Sequence, residues 1–302
     1  MNARIGTQGV AMAKAASGTA DGPGGPSGAA GTAGTTEAPG AAGTTEAAGG
    51  PPERGAGTAG SRGAARMTGG EALRRLAGAQ KTAKGVSLYS RFVNRPAGRL
   101  LAAGSYVAGL TPNRVTLVSA AFSFCGIAVL ALAAPSWWAG ALVWSALAVG
   151  FAFDSADGQL ARLRGGGSPA GEWLDHVVDC AKTTALHSAV LIAFHRHPGH
   201  FGTGSDVLLL VPLVFLLAST VTFFGGLLTE QLKRKAPPGA VPAAPSTLRA
   251  VALLPVDHGV FCLVFLLLGG GPLFLWGYGL LGAAAVLYLP LFLVKWFREL
   301  SR

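Results

Sequence analysis

Charge and sulfur are scarce in this chain. Only 13% of its 302 residues are charged, and 14 acidic residues face 24 Lys and Arg, for a formal net charge of +10. A soluble domain carries about 25% charged residues. This chain, with 50% hydrophobic residues and a mean hydropathy of +0.46, reads instead as a membrane protein. Its three cysteines, Cys125, Cys180 and Cys262, are far apart and include no Cys-x2-Cys pair. That argues against a thiolate metal site or a disulfide framework and leaves them as small apolar packing residues. Bulky apolar side chains are in turn almost missing from residues 1–70, which are rich in Gly, Ala, Thr and Pro and contain the near repeat AGTTEAPGA, AGTTEAAGG. A segment of this composition cannot bury enough surface to offset its ordering entropy, so a disordered tail is expected there. It lacks the apolar core of a secretory signal.

Long apolar runs are what the rest of the chain has. They fall at about 114–134, 138–160, 173–194, 207–228, 250–268 and 273–294, each near the roughly 20 residues that cross about 30 Å of hydrocarbon. The expected fold is an all-α multi-pass membrane protein, with six transmembrane helices over 111–302 preceded by a basic juxtamembrane segment at 71–110. Arg162 and Arg164 follow the second run, Lys233, Arg234 and Lys235 the fourth, and Lys295, Arg298 and Arg302 the sixth, whereas the opposite loops carry only Arg196. By the positive-inside rule both termini are expected in the cytoplasm of a cell-membrane protein. Residues 71–100 hold seven Lys and Arg against Glu71 alone. Such a charge excess just before a span suits anionic headgroups better than nucleic acid. Leu88, Phe92, Leu100, Leu101 and Tyr106 supply an apolar face for an interfacial helix.

Against this background, four aspartates in FDSADGQLARLRGGGSPAGEWLDHVVD stand out. Asp154 and Asp157 are three apart and Asp175 and Asp179 four apart, so each pair lies on one helix face. The Gly/Pro-rich RLRGGGSPAG between them reverses the chain and lets the second helix return beside the first. Carboxylates at the ends of apolar helices are costly without a cation, and hard oxygen ligands suit Mg²⁺, Mn²⁺ or Ca²⁺ rather than zinc. With the second span running inward from about 138, Asp154 lies roughly 24 Å along it, which puts the cluster at the cytoplasmic end of the membrane.

The pattern Asp-x2-Asp-Gly-x2-Ala-Arg-x8-Gly-x3-Asp-x3-Asp resembles the signature of the CDP-alcohol phosphatidyltransferase family, with every fixed position matched, and Thr111-Pro112-Asn113-Arg114-Val115-Thr116 resembles the family's approach to its first membrane helix. The resemblance covers about residues 85–298. It implies metal-dependent transfer of a phosphoalcohol group, expected here to be phosphatidyl, from a CDP-alcohol to an acceptor hydroxyl with release of CMP, as in phospholipid biosynthesis. It further implies Mg²⁺ or Mn²⁺ held by Asp154, Asp157 and Asp175. Asp179 is then the general base, or a ligand of a second metal. CDP binding falls to Asp154, Gly158, Ala161, Arg162 and Gly171, the small residues giving space and Arg162 meeting the diphosphate. A homodimer is implied as well. Ser90-Arg91 and Asn94-Arg95 resemble the basic segment of members that use an inositol phosphate, so Arg91, Arg95 and Lys182 are candidate ligands of an anionic acceptor. Lys182 can alternatively pair with Asp179 or Asp257.

Other readings stay open. Gly171-Glu172 with Asp175-His176 is similar to the Gly-Glu-x2-Asp-His of choline and ethanolamine phosphotransferases, whose acceptor is diacylglycerol. Paired membrane carboxylates also line cation transporters, although near the midplane rather than beside small residues and an arginine. Asp257-His258, inside the fifth run, either approaches the carboxylates or pairs structurally, and His187 reads as a hydrogen-bonded packing residue.

Overall fold

The computed structural model describes residues 68–78, 87–234 and 247–301. The expected tail therefore lies outside the described residues except for its last three. Among the described residues the fold is all-helical. Helix α1 spans Gly69–Gly78, and a π-helical turn, Ser90–Asn94, leads into α2, Arg95–Val107. Three long helices follow: α3 (Pro112–Leu132), α4 (Trp137–Leu163) and α5 (Pro169–Arg196). After the short α6 (Pro198–Phe201) come α7 (Leu210–Arg234), α8 (Thr247–Ala252), α9 (His258–Leu263) and α10 (Pro272–Leu300).

Local chemistry sets where the long helices begin. Thr111, Ser136 and Ser168 each accept a bond at a helix N-terminus, from the amides of Arg114, Ala139 and Gly171, and Pro112 and Pro169 occupy first-turn positions where no amide is needed. Between α4 and α5 the chain turns through Gly165 and Gly166 at φ of 94° and 133°, a region that residues with a Cβ rarely enter.

Five helices are long and apolar enough to cross a membrane: α3, α4, α5, the segment Asp206–Arg234 and α10. The fifth of the six expected spans, 250–268, is not one helix. Pro255 sits in a 3₁₀ turn, Leu254–Val256, and Asp257 breaks to extended backbone and caps α9 through the amides of Gly259 and Val260. The apolar helix that remains, His258–Gly270, ends in 3₁₀ geometry and is about 23 Å long at about 1.5 and 2.0 Å per residue, short of the roughly 30 Å hydrocarbon layer.

Small residues bring α3, α4 and α2 together. A Cβ on Gly150 would lie 2.2 Å from Ser123 Oγ, and one on Gly98 would lie 2.6 Å from Ser155 Oγ; close backbone approach of this kind is how apolar helices associate in lipid. The main core, around Phe194, Phe201, Phe265, Phe274 and Tyr278, joins α5, α6 and α10 to the segment after α9. A smaller core of Leu76, Ala102, Val115, Ala156 and Leu160 packs α1 and α2 against α3 and α4. The expected interfacial face of the juxtamembrane segment is divided: Leu101 and Tyr106 pack on this second core, while Phe92 and Leu100 point outward.

Candidate active site

The two Asp pairs lie where the spacing places them, at the end of α4 and the start of α5. One carboxylate oxygen from each of Asp154, Asp175 and Asp179 lies within 4.8 Å of the others, close to the about 4.2 Å that separates opposite ligands of an octahedral Mg²⁺. Hard, anionic and closely grouped, these donors fit a divalent cation. A cation of the protein's own is already drawn to them: Lys182 Nζ, one turn beyond Asp179, lies 2.6 Å from Asp154 Oδ1 and 3.1 Å from Asp179 Oδ1. It also donates to Ser119 Oγ at 3.0 Å.

Asp157 is not in the group of three but is coupled to it electrostatically. It interacts with the charges of Asp154 and Asp175, yet its buried carboxylate turns to α3 and accepts from Thr116 Oγ1 at 2.6 Å. Thr116 and Ser119 are thus site residues that attention to charge passed over. Their signal was present: Thr116, Ser119 and Ser123 recur at helical spacing in an otherwise apolar span, and all three are buried.

Beside the cluster opens a cleft of about 610 Å³, lined by Asp157, Gly158, Ala161, Arg162, Gly171 and Asp175 together with the α4–α5 turn. Gly158 leaves real space here, since a Cβ on it would meet only Arg162 Nη1, at 3.6 Å. Gly171 differs: a Cβ there would lie 2.9 Å from Asn113 Oδ1, so its smallness serves the packing of α5 on α3 as well as the cleft. Arg162 feels both Asp157 and Arg95, and its Nε is buried without a hydrogen-bond partner, a donor that an oxyanion in the cleft would satisfy. At the rim, Arg234 on α7 pairs with Glu172 and Glu230, an α5–α7 clasp with no warning in the sequence.

The three candidate acceptor ligands differ in their partners. Lys182 is held by the carboxylates. Arg91 lies over the Phe92 ring at 5.2 Å, and Arg95, with Arg91 near it, is partly buried on the α4 side, its guanidinium pKa lowered by burial first and by Arg91 second. Asp257 pairs with neither Lys182 nor the cluster; it accepts from Ser87 Oγ and from Ser90 Oγ, the latter at 2.7 Å, tying the juxtamembrane segment to α9. His258 does approach, interacting with the charges of Asp154 and Lys182. His187 is buried and hydrogen-bonded through Nδ1 to the Tyr278 hydroxyl at 2.7 Å.

Comparison with known proteins places this arrangement. The family model described as CDP-alcohol phosphatidyltransferase matches residues 109–292. The phosphatidylinositol phosphate synthase of Corynebacterium glutamicum is 41% identical over 83 residues, 27% of this chain and 35% of the relative. That of Mycobacteroides abscessus is 33% identical over 122 residues, 40% of this chain and 51% of the relative. The matches thus span about a third to a half of the curated relatives' length. Among solved structures, the Mycobacterium tuberculosis phosphatidylinositol phosphate synthase with CDP-DAG bound is 20% identical at a TM-score of 0.47, covering 68% of this chain and 94% of that one. The same enzyme in complex with manganese and citrate is 23% identical at 0.45, covering 68% and 89%. Because the family match takes in more than half of the chain, including all eight positions of the Asp154–Asp179 pattern, the chain belongs to the CDP-alcohol phosphatidyltransferase family.

Proposed function

We propose that this protein transfers a phosphoalcohol group from a CDP-alcohol to an acceptor hydroxyl, releasing CMP. The observation that carries the reading is the convergence of Asp154, Asp175 and Asp179 at the edge of a cleft that Gly158 keeps open and Arg162 makes basic. Asp154, Asp175 and Asp179 are the residues to hold Mg²⁺ or Mn²⁺, with Asp157, which accepts from Thr116, on the wall of the cleft beside them. A bound divalent ion neutralises diphosphate charge and stabilises the leaving phosphate.

The chain's own groups account for the rest. Gly158 and Ala161 admit the CDP moiety against the α4 backbone, and the unpartnered Arg162 Nε donates to a diphosphate oxygen. The acceptor oxygen forms a bond to the phosphorus that carries the alcohol, the bond from that phosphorus to the CMP oxygen breaks, and the acceptor proton passes to a carboxylate oxygen of Asp179. The basic residues Arg162, Arg164, Lys233, Arg234, Lys295 and Arg298 lie at the same helix ends as the site, which supports a cytoplasmic location.

The curated relatives are named phosphatidylinositol phosphate synthase; in this chain Lys182, one of the three candidate acceptor ligands, is engaged by the carboxylates. The test is CMP release by the purified full chain with Mg²⁺, CDP-diacylglycerol or CDP-choline, and a panel of acceptors. Acceptor-dependent CMP release that EDTA abolishes is expected. Release independent of divalent ions, or no release with any donor, would overturn the reading.

A further inference from the structure

A second cavity, of about 280 Å³, lies between α5, α7, α10 and the interrupted segment that begins α9. It lies near the carboxylates, although none of Asp154, Asp175 and Asp179 lines it. Thr183 on its wall follows Lys182 in the chain, and His258, also on the wall, interacts with the charges of both Asp154 and Lys182. The His258 ring is held edge-on against Phe151, one turn before Asp154, with centroids 4.9 Å apart. A compound bound in this cavity would thus sit beside His258 and apart from the first cleft, with which the cavity shares no lining residue.

The lining has a definite chemistry. Thr183, Ser219 and Thr222 bring hydroxyls and His258 an imidazole, groups that both donate and accept. Phe215, Phe223, Phe261 and Phe292 supply apolar walls. Among the described residues that line it there is no Lys or Arg, and the only charged one is Asp257. Both Asp257 oxygens are already taken, Oδ2 by Ser87 and Ser90 and Oδ1 by the amides of Gly259 and Val260, so this carboxylate needs no cation from a ligand and repels an anionic one. Among the described lining residues a phosphate would find no paired cation of the kind that makes burial of charge tolerable. The ammonium of Lys182, the residue before Thr183, is bound to Asp154 and Asp179.

Resting on the proposed transfer reaction, we infer that this cavity binds the acceptor and that the acceptor is an uncharged alcohol without a phosphate group. The hydroxyl-bearing end takes its hydrogen bonds from Thr183, Ser219, Thr222 and His258, the carbon framework packs on the phenylalanines, and the attacking hydroxyl faces Asp179. The same chemistry describes a water-soluble polyol and the glycerol end of a neutral lipid, and the arms of the test separate them.

The full chain in detergent is assayed with Mg²⁺ and CDP-diacylglycerol against two matched pairs, inositol with inositol phosphate and glycerol with glycerol phosphate, and with CDP-choline against diacylglycerol. Thermal stabilisation by each acceptor alone is measured in parallel. At least a tenfold preference in kcat/KM for an unphosphorylated acceptor is expected, with stabilisation by that compound. Success in the soluble pairs identifies a polyol, and success with diacylglycerol a neutral lipid. Thr222→Trp, which fills the cavity, should raise the acceptor KM at least tenfold and leave the donor KM unchanged, whereas Thr222→Arg should shift the preference toward the phosphorylated partner. Preference of the wild type for a phosphorylated acceptor, or neither transfer to nor stabilisation by any uncharged one, overturns the inference. If an uncharged acceptor stabilises the wild type but not Thr222→Trp while no donor yields CMP, the cavity assignment stands and the transfer reaction fails.

Discussion

Lys182 Nζ lies 2.6 Å from Asp154 Oδ1, a contact between α5 and α4 that puts the protein's own cation on the carboxylates. The ammonium is largely buried and also touches Asp179. Removing one partner of such a pair exposes the other charges to one another, at about 3–5 kcal/mol for a fully buried pair and less here, since Asp154 and Asp179 keep some contact with solvent. Lys182→Met should therefore lower the Tm of the metal-free protein, and added Mg²⁺ should restore more of it than it adds to the wild type. Equal Mg²⁺ stabilisation of both proteins would show that Lys182 and the divalent ion do not answer to the same charges.

Asp154→Asn or Asp175→Asn should reduce CMP release by more than the roughly 10–100-fold typical of outer-sphere partners, and each should weaken Mn²⁺ binding as read by electron paramagnetic resonance. Undiminished Mn²⁺ binding by both variants would remove these carboxylates from the metal site.

Thr116→Val leaves the buried Asp157 carboxylate without its hydroxyl donor, at a cost of about 1–3 kcal/mol. The expected result is a lower Tm, with Thr116→Ser close to wild type because it keeps the donor. A Thr116→Val protein as stable as the wild type would mean that Asp157 finds another partner or carries its proton.

Gly158 and Gly171 should part company when replaced by Ala. At Gly158 the new methyl meets only Arg162 Nη1, at 3.6 Å, so stability should hold or rise by up to about 1 kcal/mol from helix propensity, while the donor KM rises as the cleft loses space. At Gly171 the methyl presses on Asn113, so the Tm should fall. The paired measurement is Tm and donor KM for both variants, and identical effects at the two positions would contradict the geometry.

In a background with Cys125, Cys180 and Cys262 replaced by Ala, Ser168→Cys should react with a membrane-impermeant maleimide only from the cytoplasm and Gly204→Cys only from outside. Labelling of Ser168→Cys from outside would put the site on the wrong face for a soluble CDP-alcohol.

Spacing alone made much of the site legible. Residues three and four apart share a helix face whatever the rest of the fold does, which is why Asp154 with Asp157 and Asp175 with Asp179 were readable as two pairs, and Gly165-Gly166 as the turn between them. Hydropathy located five of the spanning helices for the same reason, because the bilayer imposes a length on any apolar run. The fifth run misled because composition records how apolar a segment is but not where its backbone breaks. Pro255 and Asp257 form the break, and the cap is completed by contacts from Ser87 and Ser90, far away in sequence.

The sequence by itself determined the membrane class, the positions of the motif aspartates and the turn that makes them face one another. Only the tertiary structure decided that Asp157 accepts from Thr116, that Lys182 joins the carboxylates, that Gly171 packs on Asn113, and that a cavity among α5, α7 and α10 has hydroxyls and phenylalanines but no Lys or Arg among its described lining residues. These outcomes depend on how each helix is rotated about its axis against its neighbours. That rotation is set by packing summed over whole interfaces, so no local spacing encodes it.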